Sequence, residues 1–180
     1  MAPPLLVAAV RAELRGLDGE ALGVGMVAAA AEMACLIAIR RPDAVLLLGT
    51  AGAYPGGPEP GTIVTARRIS LGSGTAATGH GYVPLAPAPV VAVPFEGLPA
   101  FDVLSCIAIT TDPALAARLG EGAQVEHMEA FGMAWACARA GIPMGVVLGI
   151  TNRVGPDAHA EWKARRDEVE RAVADRVRGR

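Results

Sequence analysis

Pro42-Asp-Ala-Val-Leu-Leu-Leu-Gly-Thr-Ala-Gly52 is the stretch on which the reading of the chain turns. Residues 44–49 are apolar without polar alternation, as a strand buried on both faces requires, and the Gly49-Thr-Ala-Gly-Ala53 that follows reads as a turn-rich stop. Just upstream, residues 26–40 are dominated by Ala, Met and Leu and end before Pro42, which is the pattern of a helix. Residues 5–10 form a second apolar strand candidate, and residues 103–109 and 144–151 are two more. Three prolines and three glycines between Tyr54 and Gly61 predict a loop, after which residues 62–70 alternate in the β manner. Residues 72–99 are crowded with Gly and Pro and predict irregular backbone around one brief strand at 90–94. Asp112-Pro113 opens a short helix that Gly120 closes, and residues 128–140 and 157–178 read as helices. Trp162, Val169, Val173 and Val177 mark the apolar face of the last one. Strands alternating with helices predict an α/β fold, a central β-sheet flanked by helices, in a single domain over residues 1–180.

Composition narrows the function. With 52% hydrophobic and 19% charged residues, the 180-residue chain has far too much apolar content for disorder. Sixteen basic against eighteen acidic side chains leave a net charge of −2, so no basic field exists to hold nucleic acid or an anionic membrane. Aromatics at 4% offer little surface for stacking bases. Cys35, Cys106 and Cys137 lie in apolar segments and read as small buried hydrophobes in a reducing compartment. No CxxC pair or Cys/His cluster appears and His80, His127 and His159 are scattered, so neither a metal nor an organic cofactor is expected. The first residues lack a basic leader, and the longest apolar stretch, 24–39, is broken by Glu32 and short of the ~20 residues of a membrane span. A cytoplasmic protein is expected.

Gly23-Val-Gly-Met-Val-Ala28 matches the dinucleotide pattern, but no adequate strand precedes it and no acidic residue ends a second strand downstream. A close-packed helix start accounts better for these glycines. There is no G-x-S-x-G elbow and no phosphate loop, and Lys163 is the sole lysine. What remains is a set of polar residues at the carboxyl ends of strands, where open α/β sheets bind ligands. Glu13 follows the first strand, Thr50, Ala51 and Gly52 follow the second, Glu126 and Glu129 flank the helix beginning near Met128, and Thr151 and Asn152 close the last strand. Each glutamate alone reads as a solvated charge. Their joint placement points to a site, although spacing does not identify the reaction.

Four segments carry a resemblance. Leu6-Val-Ala-Ala-Val-Arg-Ala-Glu13, Gly23-Val-Gly-Met-Val-Ala-Ala-Ala30, the stretch from Pro42 to Gly52, and Val125-Glu-His-Met-Glu-Ala130 with its strand ending Ile150-Thr-Asn152 are similar to the nucleoside phosphorylase and nucleosidase superfamily. Within it, Met128-Glu-Ala-Phe131 and Ile150-Thr-Asn-Arg-Val-Gly-Pro156 most resemble the futalosine hydrolases. The resemblance implies a nucleoside phosphorylase-like mixed sheet and an N-glycosidic hydrolase that releases hypoxanthine from futalosine on a route to menaquinone. It assigns catalysis to Glu13, which would activate water, and to Asn152, which would face the purine. Adenine-releasing relatives place an aspartic acid at the Asn152 position. An amide supplies no proton there, but it can donate to the O6 of an oxopurine and accept from N7–H. By the same analogy Glu129 and Glu126 bind substrate, Met128 walls the sugar, and the backbone of Thr50, Ala51 and Gly52 lines the site. Methylthioadenosine/adenosylhomocysteine nucleosidase and purine nucleoside phosphorylase are the neighbouring alternatives, and a non-catalytic nucleoside binder is a third.

Water is the expected nucleophile, because Arg11 and Arg15 near the first strand have no phosphate-binding turn beside them. Arg67 and Arg68 are the arginines that would reach a phosphate if phosphorolysis were the reaction. Only ten residues separate Glu13 from Gly23, so the N-terminal part is expected to be shortened and the exposed apolar surface covered in a homodimer or larger oligomer. Recognition of the futalosine benzoate falls to Arg153 or to an arginine of a neighbouring subunit.

Overall fold

Residues 3–179 are described in the computed structural model of the chain. The apolar run after Asp43 forms a strand that continues past Gly49 as far as Ala53, where a turn was expected; this strand, Val45–Ala53, is β3 in chain order. Thr50-Ala51-Gly52 stay extended because β8 (Met144–Arg153) runs parallel beside them, pairing as far as Ala53 with Arg153. Small residues here permit close packing between neighbours. They do not mark a turn.

In order, β1 (Leu5–Ala8) leads into a 3-10 turn (Arg11–Leu14), β2 (Glu20–Ala21), α1 (Met26–Arg40) and β3. Next come β4 (Ile63–Leu71), α2 (Gly74–Ala77), β5 (Val90–Val91), β6 (Ala100–Ser105) and α3 (Pro113–Gly120). The chain ends with β7 (Val125–His127), α4 (Ala130–Arg139), β8 and α5 (Ala158–Arg178). The abbreviated segment between Glu13 and Gly23 contributes only the two-residue β2, parallel to β1. β8 is parallel to β3 and antiparallel to β4, β4 and β6 are parallel, β6 and β7 are parallel, and β7 returns antiparallel to β3. The sheet is mixed and its pairings close a ring through β3, β8, β4, β6 and β7.

One edge of β3 has two successive partners. β1 pairs with Val45–Leu47 and β7 with Gly52 and Ala53, so the strands diverge around residues 48–51. That fork positions everything described below.

Side chains of β3 alternate between two cores. Val45, Leu47, Ala51 and Ala53 join the cluster under α1 and α4, with Met33 and Phe131. Leu46 and Leu48 join the cluster under α5, with Val147 and Val173. Burial on both faces is why the segment shows no polar alternation. On the last helix Val169 and Val173 are buried against Gly149 of β8, while Trp162 is half-buried elsewhere.

Other elements also depart from expectation. The strand expected at 103–109 is Ala100–Ser105; the chain leaves the sheet at Cys106, and Ile107 and Ile109 are exposed. The helix expected from Met128 starts at Ala130, because residues 125–127 are claimed by β7. Cys106 and Cys137 are buried, but Cys35 is exposed with Val27 and Ile39 on the outer face of α1. Among the described residues, no helix is long and apolar enough to cross a membrane.

Contact between α1 and α4 rests on Gly132, where a Cβ would stand 2.6 Å from the Met26 carbonyl oxygen. Backbone cannot yield there as a side chain would. Gly132→Val is therefore expected to cost about 1–3 kcal/mol in overpacking, read as a lowered urea midpoint with an unchanged slope.

Candidate active site

The fork leaves the Thr50 N–H facing a gap that neither β1 nor β7 fills. Glu13, delivered by the 3-10 turn after β1, supplies the acceptor: its Oε1 takes the Thr50 N–H at 3.2 Å. Its Oε2 takes the Ala9 and Val10 N–H groups, each at 3.2 Å. Three backbone donors favour the carboxylate, yet burial outweighs them and raises the Glu13 pKa to about 7, with Glu129 and Glu170 adding repulsion. Across the gap stands His127 at the end of β7. A Cβ on Gly49 would lie 3.1 Å from His127 Nε2 and 3.4 Å from Glu13 Oε1, so only glycine leaves room for both.

His127 Nδ1 accepts the backbone N–H groups of Glu129 and Ala130, both at 3.1 Å. This leaves its hydrogen on Nε2, directed into the gap. Burial lowers the His127 pKa, so the ring is neutral, and the 3.3 Å approach of Nδ1 to Glu129 Oε2 is not an ion pair. Glu129 caps α4, and its Oε1 accepts the Gly25 N–H at 2.7 Å. The Gly23-Val-Gly25 turn, with φ of 90° and 91° at its glycines, thus presents the amino end of α1 to a carboxylate of its own chain.

Asn152 reaches the same space because the β3–β8 register slips between Ala51 and Gly52, leaving Thr151 as an extra residue in β8. Its Oδ1 accepts the Thr151 hydroxyl at 2.8 Å and its Nδ2 donates to the Arg153 carbonyl at 3.0 Å. That leaves one N–H and one lone pair free. Gly52 makes room, since a Cβ there would be 3.0 Å from Nδ2.

Glu13, Glu129 and Asn152 all line one cavity of about 400 Å³, together with Thr50, Ala51, Gly52, Glu126 and Met128. Every site residue expected from the sequence borders it. They do not all present free groups. Glu126 accepts the Tyr54 hydroxyl at 2.9 Å, the Thr110 hydroxyl at 2.5 Å and the Thr110 N–H at 3.2 Å, so its carboxylate anchors the segment after β6. A wider groove of about 910 Å³, lined by Pro4, Leu6, Asp18, Arg40, Arg41 and Asp43 among others, lies at the opposite, amino ends of β1 and β3 and holds none of the site residues expected from the sequence.

The arginines expected to meet anions are engaged elsewhere. Arg67 and Arg68 both clasp Asp102, whose carboxyl their hydrogen bonds hold down at about 2. Arg11 donates to the Gly19 carbonyl, and Arg15 is paired with Asp167 and Glu170. Arg153 donates to the carbonyls of Gly57 and Pro58 and pairs with Glu59, outside the cavity. Sequence reasoning passed over His127, a scattered histidine with no motif, and Trp162, read only as core; its Nε1 donates to Thr50 Oγ1 at 3.2 Å.

No protein-family model matches the chain. Among curated proteins, it is 34% identical over 169 residues to the futalosine hydrolase of Streptomyces coelicolor, covering 82% of this chain and 72% of that one. Among solved structures, a Helicobacter pylori MTAN (methylthioadenosine/adenosylhomocysteine nucleosidase) mutant with 5'-methylthioadenosine in its active site superposes with a TM-score of 0.85. The match is at 15% identity and covers 99% of this chain and 98% of the other. A futalosine hydrolase mutant from the same species gives 0.82 at 15% identity, over 96% and 95%. At those identities the structures speak to the fold, which is that of the nucleosidases, and the sequence match decides the family: the chain belongs to the futalosine hydrolases.

Proposed function

We propose that this protein is a purine nucleosidase that hydrolyses the N-glycosidic bond of futalosine and releases hypoxanthine. The observation that carries the reading is the convergence of Glu13, Glu129 and Asn152 on one cavity. Membership of the family supplies the substrate class.

Bond cleavage places positive charge on the ribose ring and negative charge on the departing purine, and the site must favour both. Glu13, with a pKa near 7, suits a group that takes a proton from water as it attacks the anomeric carbon. Glu129 is held by the Gly25 N–H through one oxygen, which leaves the other to accept the ribose hydroxyls and to face the cationic ring. Met128, half-buried at the cavity wall, provides apolar support under the sugar. The free N–H of Asn152 would donate to O6 of the departing base, and its free lone pair would accept from N7–H once the purine anion has taken a proton from solvent. With Arg11, Arg15, Arg67 and Arg68 all engaged by protein acceptors, water is favoured over phosphate.

The same reading places the enzyme in the cytoplasm, on a route to menaquinone, as a homodimer or larger assembly. The exposed Val24 in the turn before α1, with Val27 and Ile39 on the helix, supports the assembly, and light scattering tests it.

A substrate panel tests the function. Purified protein should release hypoxanthine from futalosine without phosphate, and faster than adenine from methylthioadenosine. Phosphate-dependent turnover or preferred adenine release would overturn the reading. Glu13→Gln should lower kcat by about 10²–10⁴-fold while ligand binding persists. Unchanged turnover would remove Glu13 from the mechanism. Asn152→Asp should shift the ratio of hypoxanthine to adenine release toward adenine, and an unaltered ratio would mean the base is read by another group.

A further inference from the structure

The proposed substrate carries a benzoate on the 5' side of its ribose, and the arginine expected to meet it, Arg153, is bound outside the cavity. The first half of α5 offers another candidate. His159, Trp162, Arg166 and Glu170 recur at helical spacing, and all four border the cavity. Among the described residues Arg166 is the only arginine or lysine to do so. It has no hydrogen bond or ion pair there; its guanidinium lies over the Trp162 ring, 4.9 Å from the centroid. The imidazole of His159 is stacked on the same indole, with centroids 5.6 Å apart and 19° between planes.

We propose that Arg166 and Trp162 form the subsite for a carboxylate-bearing aromatic 5'-substituent, with Arg166 pairing the carboxylate and the indole flanking the ring. The assignment rests on the futalosine reading. Three features carry it. Trp162 is tied through Thr50 to Glu13 by two hydrogen bonds of 3.2 Å, so the stripe begins beside the place where the anomeric carbon must lie. The cation–π contact with Trp162 holds the guanidinium without using its N–H donors, which stay available for a bidentate contact. The nearby acids do not occupy it: Glu170 is paired with Arg15 at 2.5 Å, and Asp167 with Arg15 at 2.6 Å. A phosphate would suit a lone guanidinium equally well, but the stacked aromatic pair beside it favours an aryl carboxylate.

The test crosses enzyme and substrate charge. kcat/KM is measured for futalosine, its carboxylate methyl ester and inosine 5'-monophosphate, with wild type, Arg166→Gln and Arg166→Lys. Wild type should prefer the acid over the ester by roughly 10- to 100-fold, as a charge-assisted pair is worth. Arg166→Gln should remove most of that preference, chiefly through KM, and Arg166→Lys should restore part of it. Equal loss on acid and ester would overturn the assignment while leaving the futalosine reading intact. Preferential cleavage of the monophosphate would make the anion a phosphate and overturn it as well. Wild type that cleaves inosine 5'-monophosphate but neither futalosine nor the ester would overturn both readings.

Discussion

An unpaired strand edge is costly unless its N–H groups find acceptors. Where β1 leaves β3 and β7 has not yet joined it, the Thr50 N–H has no strand partner, and the Glu13 carboxylate takes it. This single interaction ties a structural need to a chemical one. The acid that repairs the sheet is the one aimed at the gap, and its immobility is inherited from three backbone donors. A side chain held this way needs little reorganisation when charge develops beside it.

The acids around the cavity are kept distinct by their surroundings. Glu129 is held by the amino end of α1 through the Gly25 N–H. Glu126 is satisfied by a tyrosine and a threonine. Glu170 has an arginine. Glu13 is held in a buried setting by backbone N–H donors, and burial pushes its carboxyl up toward neutrality. A group poised between acid and base at working pH arises because its hydrogen bonds do not fully offset desolvation.

The sequence was most informative where burial is strongest. Strands β3 and β8 are legible because both faces are apolar, and Glu13, Glu129 and Asn152 because they stand in motifs at strand and helix ends. The fork was not legible. β7 is three residues long, too short for any periodicity, and its pairing with Gly52 joins positions far apart in the chain. For the same reason the Gly23-Val-Gly25 turn read only as a packed helix start: its partner, Glu129, lies 104 residues away. Engagement of Arg67, Arg68 and Arg153 by nearby acceptors is likewise invisible to composition, since an arginine looks the same whether free or spent. On α5, Trp162 reads with Val169, Val173 and Val177 as one apolar face, and that pattern does not show that His159, Trp162, Arg166 and Glu170 share the cavity wall.

The most direct test of this account is the titration of the Glu13 side chain itself. Carbon-13 NMR of the glutamate carboxyls, with the Glu13 signal assigned by its absence in Glu13→Gln, reports its protonation in the free protein. The account predicts a midpoint near pH 7, the carboxylate forming only as pH rises through neutrality, because burial prevails over three backbone hydrogen bonds. A midpoint at or below the ordinary 4.5 would mean that those bonds prevail, and Glu13 would then be a fixed charge mending the strand edge and a weaker base toward water than the account requires.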